Sequence, residues 1–349
     1  MTDRLSLPIL LGFLCAAGAT MLVRHLAVSR ALLDHPNARS SHCAPVPRLG
    51  GVAIGLGTLA GVVLVDGTFE SQVAALLGTA LVLFAMGLID DLRPLGAARK
   101  CGVQLMMAIV LVAVVRPDVE MDLPGWSGRL PGALAALFGV VWLCGLANAV
   151  NFMDGIDGIV AGLATVTAVG LVPFVQADAL PLLVALAAAS AGFLTWNSHP
   201  ASIFMGDSGS QFIGFALAGM FLLPMDGTVE LIPGMLLFAP FLFDTAFTLL
   251  RRLRSGENPF TPHRGHLYQR LTTAGWSHRT VAILYAMGAA LGGIAAEAYT
   301  RRARPTQALI LLAVAAVLVG FAIWTGREEG DLRGERRRNI KPRAEVEAA

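Results

Sequence analysis

Three short stretches of this 349-residue chain concentrate carboxylate and amide side chains. They are "GLIDDLRPL" with Asp90 and Asp91, "NAVNFMDGIDG" with Asn148, Asn151, Asp154 and Asp157, and "FMGDSGS" with Asp207. Carboxylate and amide oxygens are the ligands of a hard cation such as Mg²⁺. Glycines beside an acid also let backbone NH groups approach a phosphate. The stretches therefore predict a site for a cation and an anionic, phosphate-bearing ligand.

Spacing limits how these side chains can meet. Polar residues recur every three positions in "NAVNFMDGIDG", so on a straight helix each drifts by about 60° from the last. Asn151 and Asp154 can still share a face, and Gly155 and Gly158 allow a bend that brings the others closer. Asp90 and Asp91 are adjacent on a helix and therefore point in different directions.

Each stretch also has a purely structural interpretation. Asp90 and Asp91 repel each other by about 4 kcal/mol at an effective dielectric near 20, but they could be a helix-end pair that reaches water. The Asn and Asp residues of the second stretch could cap a helix. Gly-Asp-Ser-Gly around Asp207 is also ordinary turn chemistry.

A basic segment supplies the opposite charge. "PHRGHLYQR" holds His263, Arg264, His266 and Arg270, and guanidinium and imidazole groups suit a diphosphate. A zinc site is disfavoured because the two histidines are three positions apart with no cysteine nearby. Asp244 lies within an apolar stretch, where an acid marks a functional site unless Thr248, one turn on, satisfies it locally.

The composition is that of a membrane protein. The chain is 55% hydrophobic and 14% charged, against roughly 45–50% and 25% in soluble domains. We therefore predict an all-α polytopic integral membrane protein of about eleven transmembrane helices, with the active-site loops on the cytoplasmic face. The apolar runs are 6–26, 50–65, 72–89, 102–115, 131–149, 158–176, 179–196, 211–224, 231–250, 281–297 and 306–324.

Residues 1–324 are predicted to form one transmembrane catalytic domain, and residues 325–349 a charged, disordered cytoplasmic tail. Of the 26 Lys and Arg residues, 20 fall on the side that carries the polar loops. That side should be cytoplasmic, with the N-terminus outside. The cluster Arg301, Arg302 and Arg304 departs from this rule.

The ordered motifs resemble the polyprenyl-phosphate N-acetylhexosamine-1-phosphate transferases of glycosyltransferase family 4, which are related to phospho-N-acetylmuramoyl-pentapeptide transferase. The resemblance spans most of the chain. It rests on "RSSHCAPVPRLGG", "GLIDDLRPL" followed by Lys100 and Gln104, "NAVNFMDGIDG", "FMGDSGS", "FDT" and the basic histidine segment.

The resemblance implies that undecaprenyl phosphate attacks a UDP-N-acetyl sugar to give a polyprenyl-diphosphate sugar and UMP, in the bacterial inner membrane. Asp90 or Asp91 would deprotonate or position the lipid phosphate, and Asp207 with Asn151 would hold Mg²⁺, with Mn²⁺ as an alternative. Asp154 and Asp157 would shape the nucleotide-sugar pocket in catalytic roles. The expected substrate-binding residues are Asn148, Asn151, Lys100, His263, Arg264 and His266.

Family members that transfer plain N-acetylglucosamine 1-phosphate often carry a more histidine-rich run where this chain has Tyr268 and Gln269. With these two residues the segment resembles that of the branch that initiates O-antigen or other surface glycans. The donor could therefore be a UDP-linked N-acetylglucosamine or a 6-deoxy relative, N-acetylfucosamine or N-acetylquinovosamine. The lipid bilayer is an expected partner, nucleic acid is not, and a homodimer is compatible with the sequence.

Two other classes of protein fit the sequence less well. CDP-alcohol phosphatidyltransferases share the Asp154–Asp157–Gly158 pattern, but Gly162 stands where they carry an arginine. A cation-coupled transporter or lipid flippase should place its acids near the bilayer midplane and show inverted repeats. Here the acids cluster toward one face, and no repeat is found.

Overall fold

The computed structural model describes residues 2–36, 44–63, 70–258 and 263–340, with the backbone alone for 2–4 and 331–340. Residues 39–43 of the first family motif and residues 341–349 of the predicted tail lie outside the described residues.

Within these ranges the chain forms thirteen α-helices and five short strands. The helices are α1 (Thr2–Ser29), α2 (Gly50–Val63), α3 (Ser71–Leu92), α4 (Ala97–Val115), α5 (Gly132–Met153), α6 (Ile159–Leu171), α7 (Leu180–Asn197), α8 (Gly206–Phe221), α9 (Leu231–Leu237), α10 (Ala239–Arg254), α11 (Leu267–Thr273), α12 (His278–Arg301) and α13 (Arg304–Ile340). The strands are β1 (Leu33–Asp34), β2 (Val46–Pro47), β3 (Asp118–Leu123), β4 (Trp126–Arg129) and β5 (Thr228–Glu230).

The all-α polytopic class is confirmed, but the count of about eleven spans is wrong. Each apolar run overlaps a helix, and the run 231–250 covers two, α9 and α10. In the described part of the chain, however, seven helices are long and apolar enough to cross a membrane. An eighth is added if α9 and α10, bent by 84°, form one broken span. The helices α2, α6 and α8 have 14, 13 and 16 residues. At 1.5 Å per residue they reach only about 20–24 Å, short of a hydrocarbon core of about 30 Å.

The central helix of the bundle is α8. Every residue from Ser208 to Phe221 is buried, as expected of a helix that is apolar all round. It packs against α3, α5 and α2. Gly214 lets α8 approach α5, since a Cβ there would lie 2.8 Å from the Ala147 Cα. The helix whose first turn carries Asp207 is thus held on several sides.

The polar segments meet at one end of the bundle. That end gathers the last turns of α3, α5, α7 and α10 and the first turns of α4, α6, α8 and α12. The opposite end carries the small sheet, in which β3 pairs antiparallel with β4 and parallel with β5. Arg301 there contacts Glu297 at 2.8 Å, so one arginine of the cluster that departs from the positive-inside rule has a local acidic partner.

The helix α13 continues beyond residue 325, where the sequence predicts a disordered tail. Glu329 accepts a hydrogen bond from Arg270 Nε at 2.8 Å, and Glu328 accepts one from Trp276 at 3.2 Å. These contacts fasten α13 to the segment that contains α11. The division into a catalytic domain and a tail stays a prediction.

Candidate active site

Asp207 is the hub of the polar end. It lies in the first turn of α8, and its Oδ2 accepts a hydrogen bond from Lys100 Nζ at 2.8 Å. Its Oδ1 accepts one from Asn151 Nδ2 at 3.0 Å. Lys100 also contacts Asp90 Oδ2 at 3.0 Å. Three of the predicted motifs therefore converge on one lysine and one carboxylate, as the sequence indicated.

The neighbours Asp90 and Asp91 have different surroundings, as expected of consecutive helical residues. Asp91 is buried, and its two oxygens accept hydrogen bonds from the Asp207 N–H at 2.8 Å and from the Ser208 N–H and hydroxyl at 3.0 and 2.7 Å. Such a carboxylate satisfies the free N–H groups at the start of α8 and favours its dipole. Asp90 accepts from the Leu95 N–H at 2.8 Å and holds Lys100. Asp91 thus supports the site, and Asp90 is the one of the pair whose carboxylate contacts Lys100.

Two glycines allow α3 and α8 to lie this close together. Gly206 has φ of +77°, and a Cβ there would lie 2.6 Å from Asp91 Oδ2. A Cβ on Gly87 would lie 2.5 Å from the Asp207 carbonyl oxygen. The glycines in "GLIDD" and "MGDSG" thus serve the contact between α3 and α8, a role that requires the absence of a side chain.

The turn between α5 and α6 presents Asp154. The bend predicted from the glycines is present, with Gly158 at φ +76°. Asp154 is half-buried, and its carboxylate forms no hydrogen bond or ion pair within the described part of the chain. Burial, together with the negative charges of Asp207 and Asp91, raises the pKa of Asp154 to about 8. A carboxyl group that has no protein partner among the described residues and feels the charge of Asp207 is a natural ligand for a cation, which would replace its proton.

Asp157 points elsewhere, into a cluster that the sequence did not predict. Its Oδ2 lies 2.6 Å from His199 Nδ1 and 3.3 Å from His278 Nδ1, and it accepts the Ala201 N–H at 3.2 Å. Burial alone would raise the pKa of Asp157, but these contacts lower it below its ordinary value. His199 and His278 are 79 positions apart, so only the repeated appearance of histidine in polar segments could have drawn attention to them.

Asn148 lies one turn behind Asn151, in a chain of amides. Its Nδ2 donates to Gln104 Oε1 at 2.9 Å, and Gln104 Nε2 donates to Gln211 Oε1 at 2.6 Å. Both glutamines are buried. These amides tie together α4, α5 and α8, the helices that carry Lys100, Asn151 and Asp207. The predicted substrate contact of Asn148 stays a prediction.

The basic histidine segment is anchored by Asp244. This buried carboxylate accepts hydrogen bonds from His266 Nδ1 at 2.9 Å and from the Leu267 and Tyr268 N–H groups at 3.0 and 3.2 Å. It also accepts from the Tyr285 hydroxyl and, at 3.3 Å, from Thr248. The local partner Thr248 is thus present, but most of the bonds come from the start of α11 and its flanking residue. With Nδ1 donating to Asp244, Nε2 is the His266 nitrogen left for a ligand.

The histidine segment docks on the turn that carries Asp154. The Tyr268 hydroxyl donates to the Phe152 carbonyl at 2.9 Å, and the Phe152 and His266 rings lie 6.1 Å apart. Burial and the charges of Asp244 and Asp154 raise the pKa of Tyr268, so it remains a neutral donor. Tyr268 therefore joins the two halves of the site, a role not evident from the sequence.

His263 and Arg264 form the outer edge of this segment. The His263 ring stacks on His266 with centroids 5.1 Å apart, and its Nδ1 accepts the Gly265 N–H at 3.1 Å. Burial and the nearby His266, Arg252 and Arg251 lower the pKa of His263 to about 4, so it is a neutral imidazole near pH 7. Arg264 is exposed. Positive charge at this edge thus comes from arginine.

The donor set around Asp207 fits a hard divalent cation. Asp154 offers a carboxylate without a protein partner in the described residues, and Asn151 uses its Nδ2 toward Asp207 and Ser210, which leaves its Oδ1 available. Oxygen ligands of this kind suit Mg²⁺. Asp207, Asn151 and Asp154 are the residues that would hold it.

Comparisons with known proteins identify relatives of this chain. A model of glycosyl transferase family 4 matches residues 73–224. The probable undecaprenyl-phosphate N-acetylglucosaminyl 1-phosphate transferase of Bacillus subtilis strain 168 is 34% identical over 280 residues, which cover 77% of this chain and 78% of that protein. The decaprenyl-phosphate N-acetylglucosaminephosphotransferase of Mycobacterium leprae is 34% identical over 343 residues, covering 87% and 85%.

A more distant relative is the undecaprenyl-phosphate alpha-N-acetylglucosaminyl 1-phosphate transferase of Salmonella typhi. It is 28% identical over 328 residues, which cover 86% of each chain. The family model covers the segments of Asp90, Asp91, Lys100, Asn151 and Asp207, and the similarity to the relatives covers most of the chain. The chain therefore belongs to glycosyl transferase family 4 and is a multi-pass membrane sugar-1-phosphate transferase.

Proposed function

We propose that the protein transfers N-acetylglucosamine 1-phosphate from UDP-N-acetylglucosamine to undecaprenyl phosphate. A phosphate oxygen of the lipid forms a bond to the sugar-linked phosphorus of the donor. The bond from that phosphorus to the bridging oxygen breaks, and UMP leaves with that oxygen. The product is a polyprenyl-diphosphate sugar, which would initiate a surface glycan.

The observation that carries this proposal is the arrangement of opposite charges at one end of the bundle. Lys100, held between Asp90 and Asp207, lies on one side, and the His266–Arg264 segment is docked beside Asp154 on the other. Phosphoryl transfer depends mainly on positioning and charge stabilisation. Mg²⁺ held by Asp207, Asn151 and Asp154 would neutralise phosphate charge.

The protein groups then have separate tasks. Lys100 can bind a phosphate oxygen while Asp90 keeps its ammonium in place. Arg264 offers a guanidinium fork to the diphosphate, and His266 offers Nε2. Asp90 is the better candidate to position the lipid phosphate, since its carboxylate contacts Lys100, whereas the carboxylate of Asp91 is buried against the start of α8.

The lipid acceptor agrees with a site at the end of a membrane bundle. Lys and Arg concentrate at that end, which favours the cytoplasmic face of the inner membrane. The names of the relatives favour N-acetylglucosamine as the donor sugar. Because Tyr268 and Gln269 resemble the branch that initiates surface glycans, 6-deoxy N-acetyl sugars are included among the donors to be tested. The acids lie at one end of the bundle rather than at its middle, which favours a transferase over a transporter.

The test is UMP release by purified protein given undecaprenyl phosphate, Mg²⁺ and a panel of UDP-N-acetyl sugars. Asp207→Asn keeps the shape of the hub residue and should lower the rate by at least ~100-fold, since charge stabilisation is lost. Asp226→Asn is the matched control, an exposed acid at the opposite end.

UMP formed from UDP-N-acetylglucosamine, lost in Asp207→Asn and kept in Asp226→Asn, supports the proposal. A preference for another UDP-sugar would contradict the donor but keep the reaction. Absence of UMP with every donor, from folded protein, would overturn the proposed function.

A further inference from the structure

A second cluster of ligand atoms lies beside the site just described. One ring nitrogen of His199, one of His278 and a carboxylate oxygen of Asp157 all lie within 4.8 Å of one another. Within the described ranges it is the one group of three His, Cys, Asp or Glu side chains whose ligand atoms lie close enough together to hold a metal ion. None of the roles proposed above uses the two histidines.

Three separate segments supply these atoms. Asp157 lies in the turn between α5 and α6, His199 follows α7, and His278 begins α12. The carboxylate is buried, and the His278 side chain is 14% exposed. The His199 side chain is 42% exposed, so the cluster is open to solvent on that side. A ligand could enter there and would join the three segments.

Neither placement of the proton on His278 turns both of its contacts with Asp157 into hydrogen bonds. His278 Nδ1 lies 3.3 Å from Asp157 Oδ2, an acceptor, and 3.5 Å from the Asp157 backbone nitrogen, a donor. If this nitrogen carries a proton, it can donate to the carboxylate but cannot accept from the amide N–H. If it carries a lone pair, it can accept from the amide N–H but cannot donate to the carboxylate. A cation bound by both imidazoles and Oδ2 would use the lone pairs of all three atoms.

The chemistry of the donors selects the class of cation. Mg²⁺ prefers oxygen ligands, as around Asp207, whereas imidazole nitrogen suits Zn²⁺ and similar transition metals. Two histidines and one carboxylate leave a fourth position for water in tetrahedral geometry. Donors bound to one Zn²⁺ lie roughly 3–4 Å apart, from metal–ligand distances near 2.0–2.2 Å. The 3.3 Å between His278 Nδ1 and Asp157 Oδ2 lies in that range, and the exposed His199 ring, 2.6 Å from Oδ2, would have to move outward to admit the ion.

We propose that Asp157, His199 and His278 form a second metal site, which binds a zinc-type transition ion and braces the turn that presents Asp154. The Ala201 N–H, 3.2 Å from Oδ2, would orient the carboxylate ligand from outside the coordination sphere. Binding of this ion can be tested without knowing the donor sugar and whether or not the proposed function holds.

Co²⁺ is the probe, because it replaces Zn²⁺ and reports its coordination through visible absorption. Untagged, full-length protein in detergent would be treated with a chelator, dialysed and titrated with Co²⁺ in the presence of excess Mg²⁺. We expect one saturable equivalent per chain with the strong visible bands of four-coordinate Co²⁺. His278→Gln and the milder His199→Gln should each weaken binding by at least about 100-fold. His35→Gln, an exposed histidine outside the cluster, should bind like the unmodified protein.

Thermal unfolding gives a second measurement on the same samples. Zn²⁺ should raise the unfolding temperature of the unmodified protein and of His35→Gln, but not that of His199→Gln. Absence of a saturable Co²⁺ spectrum, or a spectrum that both cluster variants retain, would overturn the proposal. The three residues would then form a hydrogen-bonded clamp only, and their variants would change stability equally with and without metal.

Discussion

Replacing Asp244 by Asn tests whether this buried carboxylate positions the basic histidine segment. Asp244 is 1% exposed and accepts hydrogen bonds from His266, Leu267, Tyr268 and Tyr285. An amide keeps one acceptor oxygen and turns an NH₂ group toward the remaining donors. At least two buried donors therefore lose their acceptor.

The magnitude follows from those two donors. Each costs about 1–3 kcal/mol when it is left without a partner in the interior, so the loss of stability should be roughly 2–6 kcal/mol. If about 2.7 kcal/mol of this falls on the placement of His266 in the transition state, kcat/KM drops by about 100-fold. Mg²⁺ binding should change little, since Asp244 does not contact Asp207 or Asp154.

The assay is UMP release at several donor concentrations, with thermal unfolding of the same detergent samples. Thr248→Val is the matched control, because Thr248 lies one turn along α10 and contacts the same carboxylate at 3.3 Å. It should lower kcat/KM by less than about threefold, as expected for the loss of one weak hydrogen bond. An Asp244→Asn protein with kcat/KM and unfolding temperature close to those of the unmodified protein would refute the positioning role.

Four further outcomes follow from the site. Because the pKa of Asp154 is raised to about 8 and a ligand must be ionised to bind a cation, Mg²⁺ affinity should rise up to about tenfold per pH unit below pH 8. Asp154→Asn should flatten this dependence in calorimetric titrations. The same raised pKa means that, without metal, Asp154 favours the folded state most below its unfolded pKa near 4. This contribution is lost as pH rises through about 8, and urea titrations of metal-free protein would show it. Tyr268→Phe removes the bond to the Phe152 carbonyl and should lower the free energy of unfolding by about 1 kcal/mol; no change in unfolding would contradict that role. Asp91→Asn disturbs three hydrogen bonds at the start of α8 and should cost about 2–4 kcal/mol in thermal unfolding, whereas an unchanged unfolding temperature would show that the cap is dispensable.

The sequence predicts the helices well because long apolar runs have few alternatives in a membrane. It overestimates the number of spans because hydrophobicity does not reveal where a helix ends. The apolar residues 172–175 and 222–224, for example, extend the predicted runs beyond the last residues of α6 and α8. The small sheet of β3, β4 and β5 is not predicted, since its strands are short and β5 joins by a parallel pairing distant in sequence.

The site was predictable to the extent that its motifs carry their own chemistry. The convergence of Lys100, Asn151 and Asp207 follows from the order of the motifs and the family resemblance. The division of labour between Asp90 and Asp91 could not be predicted, because it depends on which side of α3 the helix α8 occupies. The contacts of Asp157 with His199 and His278 depend on three segments that only the tertiary fold brings together.

The short helices α2, α6 and α8 have a consequence for how two unlike substrates meet. All three begin at the polar end, and each is roughly 6–10 Å shorter than the hydrocarbon core. The missing length lies at the opposite end: α8 begins level with the last turn of α3, where Gly206 meets Asp91, and Gly219 of α8 already meets Leu76, five residues from the start of α3. The site therefore stays at the surface of the bundle, level with the end of a membrane-spanning helix. A lipid phosphate can meet a water-soluble nucleotide there and keep its tail among the acyl chains, so the enzyme would not have to lift its lipid out of the leaflet.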